Sequence, residues 1–421
     1  MQHLSSMRTR HVTVVVATLM ALTAACGGGD DGGSGTTTAP DNTTTTAAPD
    51  SSPTTTPEEV TGFAASAIAA GDQHACALDP DGAAYCWGYN RMGQLGDGTG
   101  EDSLVPVAVT GDHRFTSLSA GRYFTCGLST DGTTWCWGSN GAGELGDGTT
   151  GEGGDTANRL APVKVLGDLI FEELATGQLH VCGRTTAGEA WCWGAYPAGQ
   201  LGNDARPDQV QPTRSAAGLT FASLAASGTT SCGLAADGVA WCWGSNNAGQ
   251  LGNDETTNAP QHVPGQVAGP VRFTSLTLGR VHGCGVDAQG AAWCWGGNSY
   301  GQLGDGTVED RQIPTAVGGD HRFVSLTGGT DHTCGLADDG AAWCWGANSV
   351  GQLGDGAGTD AEDRTEPVAV AGDLTFTALS AGEGYTCGIA DDDTAWCWGS
   401  GGALGNGTGT PTTEPVRVSA V

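Results

Sequence analysis

Residues 126 to 148 read Cys126-Gly-Leu-Ser-Thr-Asp-Gly-Thr-Thr-Trp-Cys136-Trp-Gly-Ser-Asn-Gly-Ala-Gly-Glu-Leu-Gly-Asp-Gly148. The same arrangement occurs seven times, each time with nine residues between two cysteines. Successive copies follow at intervals of 50 to 56 residues, a period typical of propellers, solenoids and arrays. The pairs are Cys76 and Cys86, Cys126 and Cys136, Cys182 and Cys192, Cys232 and Cys242, Cys284 and Cys294, Cys334 and Cys344, and Cys387 and Cys397.

The centre of each copy predicts a tight β-hairpin. In the first copy, a three-residue loop at Pro80-Asp81-Gly82 puts its glycine in the left-handed region that such loops require. Counting outward pairs Asp79 with Ala83 and Cys76 with Cys86. Opposed residues on antiparallel strands lie about 4.5–5.5 Å apart between Cα atoms, which is within reach of a disulfide. We expect a disulfide across each hairpin; the alternative is seven pairs of buried, reduced cysteines.

Two further strand signals flank each hairpin. A Phe-x-x-Leu segment such as Phe115 to Leu118 precedes it, more loosely spaced in the first copy (Phe63 to Ile68). A short apolar segment with proline, such as Pro106 to Val109, follows it and is typical of an edge strand. Four short strands per repeat, without helical periodicity, predict an all-β, seven-bladed β-propeller over residues 60–421. Its blades are four-stranded and antiparallel, with one intra-hairpin disulfide per repeat.

The repeat pattern leaves open which strand is the first strand of each blade. If the proline strand comes first, blade 1 lacks it, and Pro415 to Val418 at the carboxyl end supplies it. The two ends of the chain would then pair and close the ring.

All 13 tryptophans lie in the second strands of the hairpins, mostly as Trp-Cys-Trp-Gly. Alternation puts the two aromatic residues on one face of the strand and the cysteine on the other. The periodicity favours a core between neighbouring repeats. An exposed aromatic row that binds sugars is the alternative.

The turn Gly93-Gln-Leu-Gly-Asp-Gly98, which follows Trp87-Gly-Tyr-Asn90, resembles the regulator of chromosome condensation repeat family. The resemblance covers about residues 60 to 421 and implies a seven-bladed propeller. The best-known member is a nuclear guanine-nucleotide exchange factor that docks on chromatin, and exported bacterial members bind protein partners. Because the elements for exchange and chromatin binding lie outside the repeat motif, we expect a protein-binding or scaffolding module. The alternatives are an exchange-factor-like regulator of a GTPase and a carbohydrate-binding surface protein.

The first 59 residues predict export and anchoring. Residues 1–25 read as a signal peptide, with Arg8 and Arg10 before the apolar run Val12 to Ala25. The run ends at Cys26 in a pattern that resembles a bacterial lipoprotein signal, so we expect lipid on Cys26. An ordinary secreted protein with a spare thiol is the alternative. Residues 26–59 are rich in Gly, Thr and Pro and predict a disordered tether. The expected location is the outer, extracytoplasmic face of the bacterial cell membrane.

The formal net charge of −30 argues against nucleic acid as a partner. Acidic residues recur in the loops after each Gly-x-Leu-Gly turn, at equivalent places that should gather on one face. They favour a protein partner, possibly a basic one, bound by a monomer; the alternative is a solvated rim that keeps the protein soluble. The candidates are Glu101, Asp102, Glu152, Asp155, Asp204, Asp208, Asp254, Glu255, Glu309, Asp310, Asp360, Glu362 and Asp363.

The sequence predicts no catalytic site, no metal and no cofactor. It contains no phosphate-binding loop. Calcium at Gly354 to Asp360 is an alternative, although the segment departs from the twelve-residue calcium loop. His74, His180, His282 and His332 each precede a cysteine by two residues. They could hold a metal around a channel, but Phe124, Thr230 and Tyr385 in the equivalent places favour a structural, hydrogen-bonded role.

Overall fold

The computed structural model describes residues 62–151, 158–204, 207–359 and 362–421. These residues form seven four-stranded sheets, each made of consecutive antiparallel strands. The strands are β1 (Ala67–Ala70), β2 (His74–Leu78), β3 (Ala84–Gly88) and β4 (Ser103–Ala108) in blade 1; β5 (Phe115–Ala120), β6 (Phe124–Ser129), β7 (Thr134–Gly138) and β8 (Arg159–Lys164) in blade 2; β9 (Phe171–Thr176), β10 (His180–Thr185), β11 (Ala190–Gly194) and β12 (Gln209–Arg214) in blade 3; β13 (Ser223–Ser227), β14 (Thr230–Leu234), β15 (Ala240–Asn246) and β16 (Thr257–Gln266) in blade 4; β17 (Phe273–Leu278), β18 (His282–Asp287), β19 (Ala292–Gly296) and β20 (Arg311–Ala316) in blade 5; β21 (Phe323–Gly328), β22 (His332–Ala337), β23 (Ala342–Gly346) and β24 (Arg364–Ala369) in blade 6; and β25 (Phe376–Ala381), β26 (Tyr385–Ala390), β27 (Ala395–Gly399) and β28 (Thr412–Arg417) in blade 7.

The predicted seven-bladed propeller is confirmed. Each sheet is one repeat, and the first strands of neighbouring blades contact one another around the centre. The proline strands lie at the sheet edges, as expected. A short 3-10 turn at Gly401–Ala403 is the helical element among the described residues, and no helix there is long and apolar enough to cross a membrane. The predicted signal (1–25), Cys26 and the tether (26–59) lie outside the described residues.

The hairpins pair as predicted. In blade 1, β2 and β3 align Cys76 with Cys86, and the glycine of the loop, Gly82, has a φ of 79°. In the seventh hairpin Asp393 takes this left-handed position, with a φ of 64°.

All seven predicted disulfides are present, with Cα atoms 4.0–4.1 Å apart. This spacing is slightly shorter than the roughly 4.5–5.5 Å expected for opposed residues. The fourteen cysteines of the repeats are therefore disulfide-bonded, and the alternative of reduced cysteines is wrong. The bonds join Cys76 to Cys86, Cys126 to Cys136, Cys182 to Cys192, Cys232 to Cys242, Cys284 to Cys294, Cys334 to Cys344, and Cys387 to Cys397.

The prediction that the proline strand opens each blade, so that the last strand of the chain completes blade 1, is wrong. Strand β28, which contains Pro415, pairs with β27 of its own repeat, and β1 is the first strand of blade 1. The chain ends meet through shorter contacts instead. Gly62 pairs with Ser419, and the N–H of Phe63 donates to the carbonyl of Val418 over 3.1 Å. The segment before β1 therefore joins blade 7 to blade 1.

The core lies between neighbouring blades. In blade 2, the ring centroid of Trp137 lies 5.8 Å from that of Phe115, and both residues pack against the disulfide of blade 1. Phe63 plays the same part beside Trp87 in blade 1, although it precedes β1 instead of opening it. The second tryptophan of each motif is fully buried, which confirms the predicted core; the first, such as Trp135, is partly buried.

The Gln-Leu-Gly turn of each repeat fits against the tryptophan of the next blade. The indole Nε1 of Trp137 and the hydroxyl of Thr125 donate to the carbonyl of Gln94, over 2.9 and 3.0 Å. A Cβ atom on Gly96 would lie 2.7 Å from the indole Cδ1. The turn recurs because it forms the contact between blades.

Candidate binding face

Each blade has two connections on one face of the ring. The inner turn joins its first and second strands, and the long loop joins its third and fourth strands. Because the four strands are antiparallel, both connections lie at the same end of the blade. We call this the loop face, and the opposite face, which carries the hairpin turns, the hairpin face. Every acidic candidate that the structure describes lies in a long loop, so the prediction of a common face is confirmed.

A buried asparagine organises the long loop. In blade 1, the Oδ1 atom of Asn90 accepts the N–H of Leu95 over 2.9 Å. Its Nδ2 donates to the Oδ1 of Asp97 (3.0 Å) and to the carbonyl of Glu101 (3.1 Å). One side chain thus replaces the backbone pairing that the loop lacks. The equivalent buried residues are Asn140, Asn246, Asn298 and Asn348.

Four of the acidic candidates also hold the long loops in shape. The Oδ1 atom of Asp102 accepts the backbone N–H of Asn90 over 2.8 Å. Asp208, Asp310 and Asp363 make the equivalent contact in blades 3, 5 and 6, over 2.9, 2.7 and 3.1 Å. Each carboxylate closes the base of its loop.

Asp204 and Asp254 occupy a place that is glycine in other blades. Their φ angles are 53° and 65°, in the left-handed region where Gly98 has a φ of 85°. The N–H of Asp254 donates to the carbonyl of Gln312 in the next blade, over 3.0 Å. Asp254 therefore belongs to the contact between blades, and the side chains of both aspartates are exposed.

The other described candidates are exposed and stand apart from one another. They are Glu101 in blade 1, Glu255 in blade 4, Glu309 in blade 5 and Glu362 in blade 6. The structure distributes them around the rim. Among the described residues there is no group of three or more His, Cys, Asp or Glu side chains that could hold a metal ion. Glu152, Asp155 and Asp360 lie outside the described residues.

The seven innermost strands surround a central channel of about 260 Å³. Small residues such as Ala70, Ser119 and Ala381 line it, and charged side chains of the inner turns stand at its mouth on the loop face. Asp72 lies there with its Oδ2 atom 3.6 Å from the Nε atom of Arg122. Burial, and then repulsion by Glu383, raise the pKa of Asp72 to about 6, against the lowering effect of the arginines.

The four histidines are structural, as predicted. The Nε2 atom of His74 lies 2.8 Å from the hydroxyl of Thr125 in the next blade. His180, His282 and His332 meet a serine or threonine hydroxyl in the same way, over 2.8 to 2.9 Å. In blade 2, Phe124 packs in a core cluster with Val181, where the next blade offers no hydroxyl. Burial lowers the pKa of the first three histidines to about 3 and that of His332 to about 4.

Sequence reasoning missed the channel mouth. This position lies four residues before the first cysteine of each pair, and it differs from blade to blade, whereas the position before it is glycine in six of the seven blades. That variation was the available signal. The residues at this position are Asp72, Arg122, Gln178, Gly228, Arg280, Thr330 and Glu383.

Two family models match the chain, both described as the regulator of chromosome condensation (RCC1) repeat. One matches residues 81–128, 237–286, 289–336 and 339–389. The other matches residues 65–94, 115–144, 221–250, 273–302 and 323–352. The chain belongs to the RCC1 repeat family. Its Gln-Leu-Gly turn and its buried asparagine are the parts of the RCC1 repeat that build the loop face.

Relatives agree with the RCC1 fold. The ultraviolet-B receptor UVR8 of Arabidopsis thaliana is 30% identical over 151 residues, which is 35% of this chain and 33% of UVR8. The crystal structure of Prp20p from Saccharomyces cerevisiae is 21% identical and covers 77% of this chain and 83% of its own, with a TM-score of 0.68. Human WBSCR16 is 22% identical and covers 75% of this chain and 84% of its own, with the same TM-score of 0.68. The two structures show a common fold, and the match to UVR8 spans a third of each protein.

Proposed function

We propose that this RCC1 propeller is a non-catalytic, protein-binding module that engages its partner through the loop face. The observation that carries the proposal is the variation of side chains at equivalent positions of a rigid, repeated frame. At the channel mouth, one position holds acidic residues in blades 1 and 7 and arginines in blades 2 and 5. Repeat proteins place binding where equivalent positions differ.

The charge of the loop face favours a basic partner. Glu101, Glu255, Glu309 and Glu362 are exposed around the rim, and the formal net charge of the chain is −30. A surface of one sign steers a partner of the opposite sign, and salt weakens that attraction. The crystal structure of Prp20p is accompanied by its binding properties to Gsp1p and histones. In this relative, the same fold therefore binds other proteins.

We further propose that the protein works on the outer face of the bacterial cell membrane. The seven disulfides support this location, because disulfides form and persist in oxidising compartments. The predicted signal peptide and the lipid on Cys26 would hold the propeller there. Labelling with a fatty acid and mass spectrometry of the amino-terminal peptide would test the anchor: an unmodified Cys26 rules it out.

Sugar binding by tryptophan has less support. All seven tryptophans that occupy the second place of the motif are fully buried between blades, for example Trp345. The first tryptophans are partly buried, and some are covered by a neighbour: the imidazole of His321 lies 4.0 Å from the ring of Trp343. These rings serve the fold.

A comparison of the two faces tests the binding module. One variant, Glu101→Gln/Glu309→Gln/Glu362→Gln, removes three exposed charges from the loop face; the matched control, Asp112→Asn/Asp168→Asn/Asp320→Asn, removes three from the hairpin face. Full-length protein is immobilised, envelope extract is passed over it, and bound proteins are eluted with rising salt. We expect a specific protein that is lost from the loop-face variant and kept by the control. Equal retention by both variants, or retention of nothing, contradicts the proposal.

A further inference from the structure

Six of the seven inner turns share a coupled pair of residues. A glycine opens the turn, and three residues later an aromatic or imidazole ring lies beneath it. A Cβ atom on Gly177 would lie 2.1 Å from the Cε1 atom of His180, and one on Gly382 would lie 2.2 Å from Cε1 of Tyr385. The ring therefore requires the glycine. The pairs are Gly71 and His74, Gly121 and Phe124, Gly177 and His180, Gly279 and His282, Gly329 and His332, and Gly382 and Tyr385.

Blade 4 departs from this pattern at both positions. Ser227 stands where the others have glycine, and Thr230 where they have the ring. The turn between these positions has two residues, as in the other blades, and here they are Gly228 and Thr229. Gly228 has a φ of 51°, and a Cβ atom there would lie 2.4 Å from the carbonyl oxygen of Arg280. The channel mouth therefore has a gap at blade 4, at the position where the other six blades carry a side chain.

The gap continues outward as a groove of about 300 Å³ over blade 4. Its floor is the hydroxyl pair of Thr229 and Ser245, whose oxygens are 2.7 Å apart. Gln178 and Gly228 line both the groove and the channel, so the two cavities meet there. At the outer end lies Asn258 on β16, which has ten residues where the other fourth strands have six. The groove runs from the channel to the edge of the ring.

The groove is lined by amides and hydroxyls. Arg280 is the one charged residue that lines it, and the carboxylate of Asp331 holds its guanidinium through two contacts of 3.1 Å. The side chains of Gln178 and Asn258 make no hydrogen bond to any other described residue, and no aromatic residue lines the groove. The apolar side chains in its lining are Pro260 and Val281, so the groove offers no aromatic platform for the C–H face of a sugar ring. An extended peptide needs alternating donors and acceptors, and side-chain amides offer both.

We propose that an extended, uncharged polar peptide segment of the protein partner lies in this groove. The inference rests on the proposed function and names the part of the partner that reaches blade 4. Gln178 and Asn258 bond the peptide backbone at the two ends of the groove, and the hydroxyls of Thr229 and Ser245 contact it from below. The glutamates of the rim attract the partner, while the groove selects the segment.

A variant in which a large side chain fills the groove tests whether a peptide binds there. Thr229→Tyr places a large ring over the floor; the fold tolerates this residue, because Tyr123 occupies the equivalent place in blade 2. Gln73→Tyr makes the same kind of change at the equivalent exposed position of blade 1 and is the matched control. A displayed library of random linear peptides is selected on full-length protein, and the affinities of selected peptides are measured on both variants. We expect Thr229→Tyr to weaken them at least about tenfold and Gln73→Tyr to leave them unchanged.

Four results would overturn the inference. Selected peptides that bind Thr229→Tyr as well as the wild-type protein lie elsewhere. A selection that yields no peptide shows that the groove takes none. Oligosaccharides that shift the side-chain amide signals of Gln178 and Asn258 in nuclear magnetic resonance spectra, where peptides do not, assign the groove to glycans. If a captured protein partner depends on the rim glutamates but not on Thr229, the proposed function stands and this inference fails.

Discussion

The indole Nε1 of Trp87 in blade 1 donates a hydrogen bond of 2.8 Å to the carbonyl of Ala403 in blade 7. The same bond joins Trp137 to Gln94 between blades 2 and 1, over 2.9 Å. Residues from the two ends of the chain thus repeat a contact that elsewhere joins sequence neighbours. The contact that closes the ring therefore has the same chemistry as those of Trp137, Trp193, Trp243, Trp295 and Trp345, and the short bridges at Gly62 and Phe63 add to it.

Removing the donor at the closure should destabilise the protein. Trp87→Phe keeps an aromatic ring but leaves the carbonyl of Ala403 buried without its partner, which costs about 1–3 kcal/mol. The matched control is Trp398→Phe, because Trp398 is equally buried at the same place of the motif and its Nε1 atom has no hydrogen-bond partner among the described residues. Denaturant unfolding should show the larger loss of free energy for Trp87→Phe. Equal losses would mean that the bond contributes nothing to closure.

Each disulfide should stabilise the hairpin that it crosses. The cysteines of blade 4, Cys232 and Cys242, are ten positions apart and buried against the next blade. Cys232→Ala/Cys242→Ala should cost about 2–4 kcal/mol in the free energy of unfolding, because the unfolded chain regains the freedom of that loop. Thermal unfolding with and without a thiol reductant checks it. Full reduction should lower the transition much further than the double variant does, and an unchanged transition would show that the bonds are dispensable.

The four buried histidines should make the protein sensitive to acid. Their pKa values in the folded protein, about 3 to 4, lie below the ordinary value of 6.5. Between these limits the unfolded chain binds more protons than the folded one, so stability is complete above about pH 6.5 and falls as the pH drops. Each histidine contributes a slope of about 1.4 kcal/mol per pH unit.

Substitution of one histidine tests this linkage. His74→Phe copies Phe124 of blade 2 and should reduce the slope of unfolding free energy against pH by about a quarter. The reverse change, Phe124→His, should steepen it. The measurement is denaturant unfolding at several pH values between about 4 and 7. A slope that does not change in His74→Phe would assign the acid sensitivity to other groups.

The hairpins could be predicted from the sequence, whereas the strand at which each blade of the ring begins could not. The loop at Gly82 and the opposed Cys76 and Cys86 follow from the geometry of a few adjacent residues. The order of strands within a blade does not, because all four strand signals recur and a ring has no natural beginning. The pairing of β28 with β27, in the same repeat, decides it.

The binding face was predictable in position but not in detail. Acidic residues in equivalent loops had to share a face. The bond from Asp102 to the N–H of Asn90 depends on the path of the loop, which the sequence does not show. The coupling between the changes at Ser227 and Thr230 was also hidden, since it depends on the contact between the opening glycine and the ring beneath it in the other blades. Each of these changes looks ordinary alone.

That coupling gives a prediction of its own. Gly177→Ser in blade 3 would place a Cβ atom 2.1 Å from the imidazole of His180, whereas the nearest backbone atom, the carbonyl oxygen of Gly228, is 3.1 Å away. The clash is therefore mainly with the ring, and we expect the single variant to lose about 1–3 kcal/mol of stability.

The second change should rescue the first. Gly177→Ser/His180→Thr reproduces Ser227 and Thr230 of blade 4, so it should be more stable than Gly177→Ser, with a coupling free energy of about 0.5–3 kcal/mol in a double-mutant cycle. Gly141→Ala is the control for adding a Cβ atom, because nothing lies within 4 Å of that position, and its stability should be unchanged. Strictly additive losses for the two changes at the inner turn would show that ring and glycine are independent, and the account of Ser227 and Thr230 as a coupled pair of changes would then fail.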